Sequence, residues 1–334
     1  MNLAGRAVER LDRFQRRHRA TAVPVAVLKK FGDDRGGSMA ALVAYYAFFS
    51  LFPLLLAATT ILGYVAKDSP RLREQLINSA LGQIPVIGTQ LQSDRGLDGS
   101  AVALTVGVAG ALWAGQGAML AAQDAMNSIW SVARVDYPTF AAKRLRALFA
   151  LAVIGGGLVA AVLLANLTNM ISNLPLVTTV LLVLTNLGVD MAIFLGAFVT
   201  LTTAGPSWKA LVPGAIVAGV AYYLLQVVGS YYVTRSVRGA ADAYGTFAVV
   251  IGLLAWLHLQ AQLTMLAAEV NVVIDRRLWP RGLTDREPTA ADLEVLRARA
   301  ASERGRHDQT VDVQFANSPD LGADETDEHN GVSL

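Results

Sequence analysis

Six long stretches of mostly apolar residues alternate with polar segments along most of the chain. Each stretch is long enough to cross the hydrocarbon core of a bilayer, which takes about 20 residues of α-helix. We place these stretches at 39–66, 100–122, 147–170, 177–204, 208–233 and 246–274. The pattern therefore predicts an all-α, polytopic membrane protein with about six transmembrane helices.

The composition agrees with this prediction. Of the 334 residues, 54% are hydrophobic and only 16% are charged, against about 25% charged residues in an ordinary soluble domain. The formal net charge of +2 gives no reason to expect nucleic acid as a partner. The sequence has no cysteine, so disulfides, thiol nucleophiles and cysteine-bound metals are excluded.

The basic residues indicate how the chain is oriented. The N-terminal segment, the second and fourth connections between stretches, and the C-terminal tail hold 22 of the 28 Lys and Arg residues. Because basic residues accumulate on the cytoplasmic side, we predict that both termini are cytoplasmic. The first apolar stretch begins at Met39, too far along the chain for a cleaved signal peptide. We therefore expect a multi-pass protein of the plasma (inner) membrane.

The sequence divides into three regions. Residues 1–38 form a basic, amphipathic cytoplasmic segment, and residues 39–274 form the six-helix transmembrane domain. Residues 275–334 are polar and rich in acidic side chains, which predicts a disordered cytoplasmic tail. Within the transmembrane domain, the helical spacing at 70–91 predicts an amphipathic element on the outer face, which either caps a cavity or only lies in the interface.

The N-terminal segment repeats apolar side chains at helical spacing among many arginines, at Leu3, Ala7, Leu11 and Phe14. This pattern suits a helix that lies on anionic phospholipid. A solvated basic arm that only sets the orientation is the alternative. Membrane lipids are therefore the expected partners, and the sequence leaves a homo-oligomer open.

Asp190 is the most informative polar residue within the apolar stretches, because a charge near the middle of a membrane needs a partner or water. His258 falls at a similar predicted depth in the sixth stretch. If the two side chains met, they would form a proton-linked switch, since an imidazole beside a carboxylate titrates in the physiological range. Otherwise Asp190 is protonated or hydrogen-bonded to Asn186, and His258 is a neutral packed ring.

Further uncharged polar side chains fall within the stretches and are expected to avoid the lipid tails. They either form hydrogen bonds between helices or line a path for a ligand, and only geometry separates these alternatives. The candidates for such a path, besides Asp190 and His258, are Tyr46, Ser50, Gln116, Gln226 and Gln260.

Pro53 and the glycines predict features of the helices themselves. Pro53 lies inside the first stretch and should kink it, which marks either a moving element or a static bend. Glycines are dense in the second and third stretches, which favours close packing between helices.

Motifs of soluble enzymes are missing from the sequence. The four histidines are dispersed over a basic arm, one apolar stretch and the tail, so they predict no metal site. The sequence has neither a phosphate-binding Gly-Lys-Ser/Thr loop nor a nucleophile elbow. We therefore expect no metal, no cofactor and no enzymatic activity.

Several short motifs resemble those of the YihY/BrkB family of bacterial inner-membrane proteins. The most specific are Ala44 to Leu54, AYYAFFSLFPL, and Ala268 to Asn271, AEVN. The motif positions are Ser50, Pro53, Asn127, Pro213, Gly214, Tyr244, Gly245, Glu269 and Asn271. The resemblance covers roughly Asp33 to Asp275 and implies a six-helix membrane protein, but it assigns no role to any of these positions.

The resemblance also implies transport at the cell envelope. The family includes YhjD-like members linked to export of a lipid A precursor, and BrkB, which is associated with resistance to serum killing. Members have also been labelled ribonuclease BN, but this sequence lacks the cluster of His and Asp residues that a metal-dependent nuclease needs.

Three functions are compatible with the sequence. The first, which we favour, is a transporter or flippase of an envelope lipid or other amphipathic small molecule. The second is a non-catalytic scaffold for envelope assembly that docks through the N-terminal segment and the tail. The third is a membrane-bound hydrolase built from Ser50, His258 and Asp190, for which the spacing gives no support.

Overall fold

The computed structural model describes residues 3–66, 101–171, 175–232, 246–283 and 288–315. Within these ranges the chain forms nine α-helices and one short 3-10 turn at Arg134–Asp136, with no strand. The helices are α1 (Leu3–Arg17), α2 (Arg19–Asp33), α3 (Gly36–Ala66), α4 (Ala101–Ile129), α5 (Phe140–Ile171), α6 (Pro175–Leu201), α7 (Trp208–Tyr232), α8 (Thr246–Asp275) and α9 (Ala290–Ser302). The predicted outer element at 70–91 lies outside the described residues.

The six long helices α3 to α8 correspond to the six apolar stretches, and α6 ends at Leu201, three residues before its predicted end. Among the described residues, five of these helices hold spans long and apolar enough to cross a membrane. The spans are Gly36–Ala57, Leu104–Ile129, Val180–Leu201, Trp208–Val228 and Val250–Asp275. The remaining stretch lies in α5, which is 32 residues long. The prediction of an all-α, polytopic membrane protein is confirmed, and the side of the membrane on which the termini lie stays a prediction.

Helices α3 to α8 form a closed ring. Each packs against the next along the chain, and α8 returns to pack against α3. The first helices, α1 and α2, lie outside this ring, and α2 packs against α8. We call the end of the ring at which α3 begins and α4, α6 and α8 end the Lys30 end, after a buried residue described below.

Small residues bring α3 and α4 close together in antiparallel register. A Cβ atom added to Gly107 would lie only 2.7 Å from the backbone nitrogen of Ala57. An added Cβ atom would lie 2.9 Å from Cβ of Pro53 at Gly110, and 2.8 Å from Cδ1 of Tyr46 at Gly117. Because lipid tails are as apolar as the helix surfaces, such close packing is a main source of helix association in a membrane. The glycine-rich face of α4 therefore accommodates the proline of α3.

Polar side chains join the segment after α8 to the N-terminal helices at the Lys30 end. Asp292 of α9 is 3% exposed and accepts hydrogen bonds from Lys29, Arg281, the Gly282 amide and Thr289. Arg281 is 2% exposed and also pairs with Asp33 at 2.8 Å. Helix α9 of the tail is therefore held against α2 by paired charges, which composition does not reveal. The disorder predicted for the tail as a whole stays a prediction.

Helix α1 turns its polar face towards the protein and its apolar face outwards, the reverse of a surface helix on a soluble protein. Its polar residues Asp12 and Gln15 are buried and bond to the backbone of Leu283 and Arg281, at 2.9 and 2.6 Å. Its apolar residues Leu11 and Phe14 are 60% and 54% exposed. Leu11 and Phe14, two members of the apolar stripe that the sequence predicts, thus face away from the protein.

We predict that Gly107→Ala destabilises the protein by about 1–3 kcal/mol, the usual cost of overpacking, because the new methyl group would collide with the α3 backbone. Gly155→Ala on α5 is the matched control, since nothing lies within 4 Å of an added Cβ there. Thermal unfolding in detergent would measure both variants. Equal unfolding temperatures for the two variants would contradict the close contact of α3 with α4.

We predict a pH-dependent effect of Asp292→Asn. Burial raises the pKa of Asp292, but its hydrogen bonds from Thr289, Gly282, Arg281 and Lys29 outweigh that effect and hold the pKa below its ordinary value. The stability that this carboxylate contributes is therefore present above about pH 3.9, its ordinary pKa, and is lost as the pH falls further through the folded-state pKa.

The variant should accordingly unfold at a lower temperature than the wild type at pH 7, and the difference should shrink towards pH 3. Tryptophan fluorescence would follow this region, because Trp279 lies against Arg19, 5.0 Å from the guanidinium carbon to the ring centroid. Glu294→Gln, at an exposed position of α9, is the control. A difference that stays constant over this pH range would refute the assignment.

Candidate functional site

A charged cluster is buried at the Lys30 end of the ring. Lys30 is 2% exposed, and its Nζ lies 2.5 Å from Asp34 Oδ2, 2.9 Å from Glu269 Oε2 and 2.7 Å from the carbonyl oxygen of Ile129. An ammonium group has three protons to donate, so these three acceptors use its full capacity. Glu269 is 0% exposed. We call Lys30, Asp34 and Glu269 the charged cluster.

Three helices position this cluster. Lys30 lies in the last turn of α2, and Asp34 follows one turn later on the same face. Glu269 lies in α8, and Ile129 is the last residue of α4, where the helix leaves its final carbonyl groups without intrahelical partners. Lys30 therefore satisfies the end of α4 while it pairs with α8, and it fixes α2 to the ring.

The cluster holds more acceptors than Lys30 can serve. Two carboxylates face a single ammonium group, and Glu269 Oε1 has no hydrogen-bond partner among the described residues. Removing charges from water is costly, and a charge pair within a membrane protein has to be balanced by good geometry. A buried carboxylate oxygen that is left over is therefore a site at which a proton or another donor would be stabilised.

Two buried amides lie on α4 near the cluster's Ile129 contact. Gln123 and Asn127 are both 0% exposed and lie one turn apart on the same face of α4. Neither side-chain amide has a hydrogen-bond partner among the described residues. Buried polar groups of native proteins are nearly always hydrogen-bonded, to protein, water or ligand. These amides are thus available to hydrogen-bond a polar group at this end of α4.

The charged cluster is connected to the surface. Asp34 is 7% exposed and lines a cavity of about 390 Å³ together with Arg35, Ser128 and Arg299. These residues come from the ends of α2, α4 and α9. A proton or small polar molecule could approach Asp34 through this cavity, so the cluster is buried without being sealed.

Two of the motif positions hold α7 against α8. The Gly214 amide donates a hydrogen bond of 2.6 Å to Asn271 Oδ1. A Cβ atom on Gly214 would lie 2.2 Å from the carbonyl oxygen of Ala267, so only glycine allows the helices to approach this closely. Pro213 lies beside it inside α7. These motif residues serve the contact between two helices of the ring.

The structure does not join Asp190 to His258 by any hydrogen bond or ion pair within the described ranges. Asp190 lies on α6, and Phe194, one turn further along the same face, contacts Tyr222 of α7 with ring centroids 5.9 Å apart. This face of α6 therefore lies towards α7, and His258 is half-buried on α8. A role for either side chain stays a prediction.

The other predicted path residues are spread over the ring. The Ser50 hydroxyl donates to the carbonyl of Ala47 at 2.7 Å, and Tyr46 contacts the position of Gly117. Gln116 and Gln260 are half-buried, and Gln226 is exposed. Tyr244 and Gly245 lie outside the described residues. Of the predicted positions, the structure places Glu269 and Asn127 near the same end of the ring, and a shared path through the mid-membrane candidates stays a prediction.

The residues that the sequence did not single out are Lys30, Asp34, Arg281 and Asp292. A signal for Lys30 was present, because it continues the buried stripe of Ala22 and Ala26 at intervals of four residues along α2. A lysine in such a stripe, followed by an acidic residue four positions later, indicates a buried pair. Among the described residues no group of three or more His, Asp or Glu side chains could hold a metal ion.

We predict that Lys30→Met destabilises the protein by about 3–5 kcal/mol, because removing one partner of a buried ion pair leaves uncompensated charge. Adding Glu269→Gln to this variant should recover part of the loss, since one of the two stranded carboxylates becomes neutral. Thermal unfolding in detergent would measure both. Lys209→Met, at an exposed position of α7, is the control. Glu269→Gln alone is measured as well. If the stability lost in the double variant equals the sum of the losses in Lys30→Met and Glu269→Gln, the two side chains are not paired.

Comparison with known proteins supplies relatives but no structural template. The chain is 23% identical to inner membrane protein YhjD of Escherichia coli (strain K12) over 268 residues, which cover 73% of this chain and 78% of that protein. It is 24% identical to the ribonuclease-like protein YfkH of Bacillus subtilis (strain 168), over 78% of this chain and 97% of that protein. A UPF0761 membrane protein of Nitrosospira multiformis is 23% identical over 73% of this chain and 58% of its own length. No solved structure gives a significant match.

The family comparison covers most of the chain and includes the whole charged cluster. The model of the family described as virulence factor BrkB matches residues 27–292, a range that runs from α2, just before Lys30, to Asp292 of α9. The relatives and the long apolar helices agree on the type of protein. This chain is a multi-pass membrane protein that belongs to the BrkB family.

Proposed function

We propose that this protein is a transporter or flippase of an envelope lipid or other amphipathic small molecule. The observation that carries the proposal is the charged cluster, in which Lys30 of α2 and Glu269 of the membrane-crossing helix α8 are almost fully buried where α2 packs against the ring. Ionisable residues within membrane segments mark pathways for substrates and protons more often than they serve stability.

The energetics support a path rather than a purely structural core. Replacing a buried ion pair with apolar side chains is often neutral or stabilising, so a protein that needs only stability has little use for one. The unpartnered amides of Gln123 and Asn127 add a further cost unless a polar guest satisfies them. A polar headgroup that enters the ring at this end could hydrogen-bond these amides and interact with the charged cluster.

The position of α8 suits it to couple the cluster with movement. Helix α8 contacts α2, α3, α4 and α7, and it carries Glu269. Protonation of Glu269 would weaken its ion pair with Lys30. The packing of α2 against α8 would then be less stable. This is the kind of two-state element on which alternating access depends.

A catalytic function has less support. The Ser50 hydroxyl is engaged with the carbonyl of Ala47, and no hydrogen bond in the described ranges joins it to His258. A nucleophile needs a base within hydrogen-bond reach. We therefore propose that the protein acts without catalysis, metal or cofactor.

The outward face of α1 supports contact with lipid. Leu11 and Phe14 are exposed beside the exposed arginines Arg10, Arg13 and Arg17. Apolar side chains flanked by basic ones bind the surface of an anionic leaflet. We propose that α1 lies on the membrane at the Lys30 end, where its buried polar face holds it to the protein.

Glu269→Gln is predicted to slow lipid movement by roughly tenfold, which corresponds to about 1.4 kcal/mol in the barrier. The assay would follow fluorescent phospholipid across the bilayer of reconstituted vesicles, with and without a pH gradient. The control is Glu294→Gln on the exposed face of α9. If Glu269→Gln and Glu294→Gln move lipid at the same rate when equally reconstituted, the cluster is not part of a transport path.

A scaffold for envelope assembly is the second candidate, favoured by the folded module of α1, α2 and α9 outside the ring. A scaffold predicts the opposite dependence on residues from a transporter. Envelope integrity would then depend on residues 1–20 and on the segment after Arg281, and Glu269→Gln would leave it unchanged.

A further inference from the structure

An arginine is held between two exposed aromatic rings on the surface of α4 and α5. The guanidinium carbon of Arg144 in α5 lies 4.6 Å from the ring centroid of Phe140 and 5.2 Å from that of Trp113 in α4. Both distances are within the range of about 6 Å at which a cation is attracted to the face of a ring. Trp113 and Phe140 are 69% and 74% exposed, so the arrangement opens away from the protein. We call these three residues the Arg144 site.

The Arg144 site lies at the boundary between the polar and the apolar parts of these two helices. Arg144 comes one turn after the start of α5 at the Lys30 end, and three residues before the apolar stretch at 147–170. Trp113 belongs to the membrane span of α4, Leu104–Ile129. Phe149, further along α5, is 61% exposed. Arginine and aromatic side chains at such a boundary lie at the level of the lipid headgroups.

No carboxylate in the described ranges neutralises the charge of Arg144 through an ion pair or a hydrogen bond. The neighbouring Lys143 pairs with Asp124 of α4, so that acidic side chain is already engaged. The Nε of Arg144 is buried, whereas its two terminal nitrogens are not among the buried atoms that lack a partner. A cation on the lipid-facing side of a membrane helix is costly unless water or an anion compensates it. The terminal nitrogens are therefore open to a group from outside the protein.

We infer that the Arg144 site binds an anionic phospholipid, with the terminal nitrogens of Arg144 donating hydrogen bonds to the phosphate and an acyl chain lying against the exposed ring of Trp113. The planar guanidinium group suits phosphate because it can donate two parallel hydrogen bonds, and the two rings hold that plane in place. A zwitterionic lipid would also bring an ammonium group, but Asp124 is already paired with Lys143. The site therefore favours a headgroup with a net negative charge.

The Arg144 site is separate from the charged cluster and from the outward face of α1. It lies on α4 and α5, and it includes neither Lys30, Asp34 nor Glu269. The lipid contact proposed for α1 involves a helix outside the ring. A phospholipid bound at Arg144 would therefore remain bound in a protein that transports nothing, so this inference does not rest on the proposed function.

The test uses the full-length protein in nanodiscs that contain equal amounts of phosphatidylglycerol and phosphatidylcholine. The protein is moved into neutral detergent, and the retained lipid is identified and counted by native mass spectrometry. The wild type should retain phosphatidylglycerol in preference to phosphatidylcholine. Arg144→Gln should lower the retained phosphatidylglycerol by roughly tenfold, because it removes the charge-assisted hydrogen bonds to the phosphate.

Arg146→Gln is the matched control, since it removes the same charge from the same turn of α5. Residues two positions apart on a helix do not share a face, and Arg146 contacts no aromatic ring in the described ranges. This variant should keep the bound lipid. Trp113→Leu provides a second route if Arg144→Gln does not fold. It keeps an apolar side chain, removes one of the two rings that hold Arg144, and should lower retention several-fold.

Fluorescence quenching locates the bound lipid. Phosphatidylglycerol with brominated acyl chains should quench the tryptophan emission of the wild type more than brominated phosphatidylcholine does, because Trp113 is exposed beside Arg144. This excess should be absent from Trp113→Leu and Arg144→Gln and present in Arg146→Gln. If the wild type shows no preference for phosphatidylglycerol, or if Arg144→Gln and Arg146→Gln retain it equally, the inference is wrong.

Discussion

The ammonium group of Lys30 is the constraint on which the arrangement at this end of the protein depends. It donates to one oxygen of each of two carboxylates and to the terminal carbonyl of α4, and these acceptors come from three separate parts of the chain. Within a membrane, each acceptor would otherwise remain buried without a donor, at a cost of several kcal/mol in order of magnitude. The N-terminal helix pair is thus held to the ring by polar groups that no lipid can replace.

The rest of the ring is held together in a different way, by close packing. Added Cβ atoms on Gly107, Gly110 and Gly117 would come within 3 Å of α3, and one on Gly214 would collide with α8. The positions shared with the BrkB motifs therefore fall into two groups. Pro53, Gly214 and Asn271 serve contacts between helices. Glu269 instead belongs to the charged cluster. A motif in this family is consequently not in itself evidence of a ligand site.

Polar chemistry is concentrated at the Lys30 end. The charged cluster, its 390 Å³ cavity, the hydrogen bonds around Asp292 and a second cavity, of about 620 Å³, all lie where α4 and α8 end. The outward apolar face of α1 lies in the same region, with its polar face bonded to the segment after α8. A membrane surface at this level would bring lipid headgroups to the openings of both cavities.

The sequence by itself determined the membrane-spanning architecture, because hydrophobicity and length are local properties that can be read along the chain. It also identified Glu269 and Asn271 through motif resemblance, and the amphipathic pattern of α1. Only the tertiary structure decided which polar groups meet. Lys30 and Glu269 are 239 positions apart, and Arg281 finds Asp33 across a similar distance in sequence. Asp190 and His258, at similar predicted depth, share no hydrogen bond or ion pair within the described ranges. Depth follows from the sequence, whereas contact depends on how each helix is rotated and which helices are adjacent, and these are set by packing across the whole ring.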